Sequence, residues 1–237
     1  MTGEKRDFDT ANAMSGEKRN FDSMNNVSGE KRNFDAAAAT WDENPGRVKI
    51  AKDVARAIRE SVSPAPDLDV LDFGCGTGLL TLELAPQVRT ITGADSSQGM
   101  IDILDAKIRK QGTANVKTRH IDLDRGDSLQ GQYDLVVSSM TFHHIRDIPQ
   151  ILDRLAAVIR PGGRIAVADL DCDEGKFHDS NEGVFHFGFD RCRMLKYFDT
   201  AGFRSVRNRT AAIVCKPAPD GGTRTFTVFL MTGKKPE

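Results

Sequence analysis

"VLDFGCGTG", Val70–Gly78, is the stretch that decides the fold. It opens as an apolar run suited to a buried strand and closes on three glycines at alternate positions. Gly74, Gly76 and Gly78 permit a tight turn and a close approach of backbone to a ligand. "TGLLTLELA" then reads as a helix, whose first N–H groups have no partner within the helix and can face that ligand. Asp72 stands two residues before the first glycine, and Asp95 ends the next strand-like run, "TITGAD". An acidic side chain at that distance, about 20 residues on, can hold the hydroxyls of a ribose.

The same outline serves nicotinamide dinucleotides, and the spacing decides against them. Their fingerprint is G-x-G-x-x-G with the third glycine inside the helix, whereas this turn reads G-C-G-T-G followed by Leu79. An acid two residues before the first glycine also suits a ligand with a positive ammonium and no pyrophosphate. A nicotinamide oxidoreductase is therefore a distant third reading.

Outward from this turn, strands and helices alternate. Upstream, "ENPGRVKIAKDVARAIRESV" carries apolar residues at helical spacing and ends before "SPAPD". Downstream come a helix from about Gly99 to Lys110, a weaker strand "VKTRHIDL" and a strong one, "YDLVVSS". The helix "IPQILDRLAAVI" is expected to stop at "RPGG", before a fifth strand "RIAVADL". A loop over 171–189, the helix "DRCRMLKYFDTAG" and a hairpin of "SVRNRTAAIVCK" with "TFTVFLMTG" complete the chain. The βαβα alternation predicts an α/β fold, a parallel sheet with helices on both faces, and about seven strands.

Several of these motifs, in this order, resemble the class I S-adenosylmethionine-dependent methyltransferases. "VLDFGCGTG" resembles their motif I, "TGADSSQGMIDI" motif II, "HIDLD" the step that meets adenine, "YDLVVSSMTFHHI" motif IV, and "IRPGG" their "LRPGG". The resemblance runs from about Asp35 to Lys235 and is closest to bacterial small-molecule enzymes, loosely the quinone-biosynthesis type. It implies a Rossmann-like doubly wound sheet of order 3-2-1-4-5-7-6, strand 7 antiparallel, under an N-terminal helical lid. It also implies S-adenosyl-L-methionine as cofactor, S-adenosyl-L-homocysteine as product and a small, hydrophobic or aromatic acceptor.

The resemblance carries over position by position. Asp72 anchors the turn or the methionine ammonium, or serves only as a cap. Gly74, Cys75 and Gly76 line the methionyl part, with Cys75 a small filler there and not a nucleophile. Asp95 is the strongest single expectation, a bidentate acceptor for two ribose hydroxyls, with Ser96 beside it. Met100 covers adenine or belongs to the core; Asp122 and Leu123 meet adenine; Ser138 faces the methionine part through its backbone. Trp41 and Arg47 lie in "FDAAAATWDENPGR", which resembles the family's element over the cofactor; Arg47 pairs with the methionine carboxylate or is a solvated helix charge. His143 and His144 follow strand four at the carboxyl edge of the sheet, one of them a general base or both packed into the wall. "KFHDSNEGVFHFGF", Lys176–Phe189, reads as an aromatic lid over the acceptor. With Cys172 and Cys192 nearby a metal is conceivable, but the spacings are not diagnostic and none is expected.

Composition limits the partners. The 237 residues are 39% hydrophobic and 28% charged with a formal net charge of -1, which gives no electrostatic case for nucleic acid. No apolar run suits a membrane helix, no secretory signal is visible, and the four scattered cysteines point to the cytoplasm. The polar tandem repeat of residues 1–33 starts "GEKRDFD" at Gly3 and "GEKRNFD" at Gly16 and Gly29, the last copy running on to Asp35. On a helix this spacing turns the three phenylalanines by roughly 220° from copy to copy, so they form no stripe. The repeat is expected to be mobile, or engaged in a partner contact, with the domain proper at 34–237. A cofactor-binding sensor or scaffold without catalysis is the alternative to an enzyme, since fold does not fix function.

Overall fold

A computed structural model describes residues 32–237. The first two copies of the repeat lie outside the described residues, and of the third only Arg32–Asp35 is within them.

Helix α1 (Pro45–Val62) begins at Asn44, whose side chain accepts from the N–H groups of Gly46 and Arg47. Its apolar stripe, including Val54, Ala55 and Ile58, is buried. Then come β1 (Asp69–Phe73), α2 (Leu79–Leu84), β2 (Thr90–Asp95), α3 (Gln98–Gln111), β3 (Val116–His120) and β4 (Tyr133–Ser139). The chain continues through α4 (Ile148–Val158), β5 (Ile159–Leu170), α5 (Arg191–Thr200), β6 (Arg204–Pro217) and β7 (Thr223–Lys234).

The sheet order is β3-β2-β1-β4-β5-β7-β6, as expected, with β7 antiparallel to both β5 and β6. Side-chain alternation along the central strands builds two cores. Val70, Leu135, Ala166 and Val228 face α1 and α2, while Leu71, Val136, Val167 and Phe229 face α4 and α5. Strand order reverses between β1 and β4, and the crevice at their carboxyl ends is where ligands sit in open α/β sheets.

One boundary differs from the sequence expectation. "RPGG" does not precede β5 but lies inside it, because Ile159 already pairs with Tyr133. Pro161 has no N–H to donate, and the register shifts between Tyr133 and Leu135 to accommodate it. The Gly162 N–H turns instead to the carbonyls of Lys235 and Pro236.

Candidate active site

The turn after β1 is held down by the next strand. The N–H groups of Gly74 and Cys75 both donate to the carbonyl of Ala94, at 2.8 and 3.1 Å. Gly74 and Gly78 are glycines for packing: a Cβ on either would lie 2.3 Å from Thr141 or Leu104. Gly76 shares the positive φ of both but not their crowding. Its φ is +53°, and a Cβ there would meet nothing nearer than Met100 Sδ at 4.0 Å. Since Gly76 lines a cavity of about 440 Å³, that Cβ would take up space a ligand can use.

Asp95 crosses from the end of β2 to this turn. Its Oδ2 accepts from Gly76 N–H at 2.8 Å and its Oδ1 from Ser97 N–H at 2.9 Å, and each oxygen keeps further acceptor capacity. Burial raises its pKa, opposed by those backbone donors. Asp72 is buried in β1 and accepts from Thr81 Oγ1 at 2.6 Å. Burial, and then the charge of Asp95, push it up to about 7. Among the described residues, neither Asp72 nor Asp95 forms an ion pair with a Lys or Arg side chain. Burial and the neighbouring Asp95 and Asp72 drive the Cys75 thiol far above its ordinary range, so it is an inert filler.

Met100, Ser96, Asp122 and Leu123 continue the wall. Asp122 is nearly buried and accepts from the Asp124 N–H at 3.1 Å. The one expected residue that the structure sets apart is Ser138. It points inward in β4 and donates to the Phe73 carbonyl at 2.8 Å, beneath the turn, and its neighbour Ser139 lines the cavity. Strand alternation allows only one of two successive residues to face the cleft.

The segment before α1 lies across the cleft. Asp35 Oδ1 accepts from Ser97 Oγ at 2.6 Å and from Gly99 N–H at 2.8 Å, pinning it to the start of α3. Asp42 accepts from Thr77 Oγ1 at 2.5 Å and pairs with Lys107. Between these anchors Phe34 and Trp41 meet edge to face at 5.8 Å. The half-buried Arg47 guanidinium sits 3.8 Å over the Trp41 ring and donates to the Trp41 carbonyl. All three side chains line the cavity.

The far half of the cavity is aromatic. Phe34, His143, His144, Phe177 and His178 are brought together, with ring centroids of neighbouring pairs 4.1–5.0 Å apart. His144 Nδ1 bonds the Gly183 carbonyl at 2.6 Å. Burial, then His143, lower its pKa to about 3, and burial and His143 do the same to His178. His143 Nδ1 bonds Asp169 Oδ1 at 2.7 Å. Asp169 and Asp42 did not stand out in the sequence, whereas His178 lies in the expected lid and Asp35 in the element expected over the cofactor. The usable signal for Asp169 is a carboxylate at the buried end of a strand, in "RIAVADL". Among the described residues no group of three or more His, Cys, Asp or Glu could hold a metal.

Comparison with known proteins agrees with this geometry. Residues 70–163 match the family described as methyltransferase domain. The chain is 36% identical over 154 residues to an uncharacterised methyltransferase of Schizosaccharomyces pombe, covering 59% of this chain and 54% of that one. It is 32% identical over 112 residues to the ubiquinone biosynthesis O-methyltransferase of Rhizobium leguminosarum, covering 47% and 44%. The chain thus spans about half the length of the curated relatives it matches. The fold resembles that of the YcgJ protein of Bacillus subtilis, with a TM-score of 0.64 at 14% identity over 78% of this chain and 98% of that one. These matches support the class I S-adenosylmethionine-dependent methyltransferase family for the stretch that the chain shares with them.

Proposed function

We propose that this protein transfers a methyl group from S-adenosyl-L-methionine to a small, hydrophobic or aromatic acceptor, leaving S-adenosyl-L-homocysteine. One observation carries the reading: a single cavity runs from the glycine turn and Asp95 to the histidine–phenylalanine chamber, so donor and acceptor can meet inside it. The cofactor brings a methyl group already activated on a sulfonium. The residues fit it. The side-chain-free face of Gly76 leaves room for the methionyl part, Asp95 offers two oxygens to the ribose, and Asp72 answers the ammonium, directly or through water. Met100, Asp122 and Leu123 wall the adenine, and Arg47, backed by Trp41, is within the cavity to meet the carboxylate. The chain's own contribution is then alignment, which alone can be worth several kcal/mol, and exclusion of water beneath the 32–43 segment.

The acceptor chamber supports the finer part of the reading. Phe34, Phe177 and Phe185 suit a planar or apolar molecule, and the neutral rings of His144 and His178 add no charge. Among the described residues no helix is long and apolar enough to cross a membrane, and the four cysteines are unpaired, which suits the reducing cytoplasm. Incubation with a methyl-labelled donor and a panel of small phenols, amines, thiols and carboxylic acids tests the activity. Labelled product on an acceptor of this kind is expected. Tight cofactor binding with no product on any acceptor would favour a sensor instead.

A further inference from the structure

Two nitrogens in the acceptor chamber are unexplained by packing. His143 Nε2 and His178 Nε2 are buried, and neither has a hydrogen-bond partner among the described residues. They come from different elements, the turn after β4 and the loop after β5, and their rings stand 4.9 Å apart on the same cavity wall. A buried ring nitrogen left bare costs free energy unless something else meets it.

The two rings are not equivalent. His143 Nδ1 faces Asp169 Oδ1 at 2.7 Å, which requires the proton on Nδ1 and leaves Nε2 as a lone pair. Asp169 is fully buried and is itself fixed by the N–H groups of Leu170, at 2.7 Å, and His143, at 3.3 Å. Burial alone would raise its pKa, but His143 and those backbone donors hold it below the ordinary carboxylate value. His144, by contrast, leans on a neutral carbonyl, and among the described residues no hydrogen-bonded carboxylate backs His178. Only His143 can take on a proton with a negative charge already beside it.

We propose that His143 Nε2, oriented by Asp169, is the base that takes the proton of the acceptor, and that the acceptor is therefore a hydroxyl or amino compound. The proposal rests on the methyl-transfer reading and names its substrate class. The acceptor's O–H or N–H group lies between the two bare nitrogens. Its lone pair forms the bond to the methyl carbon, and the carbon–sulfur bond breaks with its electron pair left on sulfur. The proton passes to His143 Nε2, the imidazolium stays paired with Asp169, and the proton leaves to solvent with the product. His143 is a catalytic residue here and Asp169 a positioning residue. The other groups facing His143 are His144 and His178, and the charges beyond them are Arg32, Lys216 and Asp179. A carboxylate acceptor has no proton to lose and would leave the dyad without a task.

Nitrogen-15 NMR of the full chain labelled at histidine tests the dyad without any donor or acceptor. The expected spectrum has the neutral His143 ring protonated at Nδ1 alone, with Nε2 bare. Asp169→Asn is expected to lose that single tautomer. A native ring protonated at Nε2 would overturn the proposal even if the variant fails to fold. The second arm uses the labelled donor with phenol, benzylamine, thiophenol and benzoate. Label on phenol or benzylamine is expected, falling about 100-fold or more in His143→Asn. Calorimetry of the same variant with S-adenosyl-L-homocysteine is expected to match the native chain. Label on benzoate or thiophenol alone would overturn the acceptor class. Label that persists at the native rate in His143→Asn would overturn the base. No label on any of the four, with S-adenosyl-L-homocysteine still bound, would overturn the methyl-transfer reading and this proposal with it.

Discussion

Asp72→Asn should stabilise the free protein and weaken its hold on the cofactor. In the fold Asp72 keeps its proton up to about 7, against an ordinary value of 3.8, because it is buried beside Asp95. Between those two values the folded chain binds a proton that the unfolded chain has released, so stability falls as pH rises and the full loss is in place above pH 7. At ~1.4 kcal/mol per unit the loss is at most about 4 kcal/mol. Asparagine fills the same space, still accepts from Thr81 and carries no charge. At pH 8 the variant should therefore melt about 8–16 °C higher at this upper bound, and about 2–4 °C higher even at a quarter of it. Near pH 4 the two proteins should differ little. Binding should move the other way. Losing a charged acceptor for the ammonium costs about 1.5–3 kcal/mol, or roughly 10–150-fold in Kd for S-adenosyl-L-homocysteine. Native binding near pH 6 should also release a proton, visible as a dependence of the calorimetric enthalpy on the buffer. Thermal melts at the two pH values decide the matter. A variant no more stable than the native chain at pH 8, or one that binds the nucleoside as well, would refute the reasoning.

Asp95→Ala removes two backbone hydrogen bonds as well as the acceptors for the ribose, so calorimetry should show at least about 100-fold weaker cofactor binding. Asp35→Ala cuts the link to Ser97 and Gly99, and limited proteolysis should find the segment before α1 more readily cleaved. Its carboxyl is held below the ordinary range by Ser97 and Gly99, so the link holds above that range and is lost as pH falls through the lowered value. Removing residues 1–27 should leave cofactor affinity within about twofold, since only the third copy of the repeat continues into "AAAATWDENPGR"; a larger loss would give the spare copies a role.

The turn at Gly74–Gly78 was legible because glycine at positive φ and an acid at the next strand end serve a purpose visible in one dimension. β2 and β4 have the very bounds of their apolar runs, "TITGAD" and "YDLVVSS". The start of β5 was not legible, since Pro161 and two glycines read as a stop, and only the neighbouring Tyr133 and the tail at Lys235 hold them in a strand. Which of Ser138 and Ser139 turns its side chain to the cavity is a matter of strand face: the Ser138 hydroxyl holds the Phe73 carbonyl and Ser139 lines the cavity. Asp42 and Asp169 look like surface or strand-end acids in sequence. Their partners lie 35 and 26 residues away, and such pairings have no local signature. The third repeat is the instructive case. Its "GEKRNFD" is identical to the second copy, and only its continuation into "AAAATWDENPGR" sets it apart; there Phe34 and Asp35 meet His144 and Ser97.

The central claim is that the cleft beside Gly76 and Asp95 is built for S-adenosyl-L-methionine. Titration calorimetry of the full chain with S-adenosyl-L-methionine, S-adenosyl-L-homocysteine and NAD addresses it most directly. Saturable one-to-one binding of both methionine nucleosides, lost in Asp95→Ala, with no heat from NAD, is the predicted result. Binding of NAD without either nucleoside would contradict it.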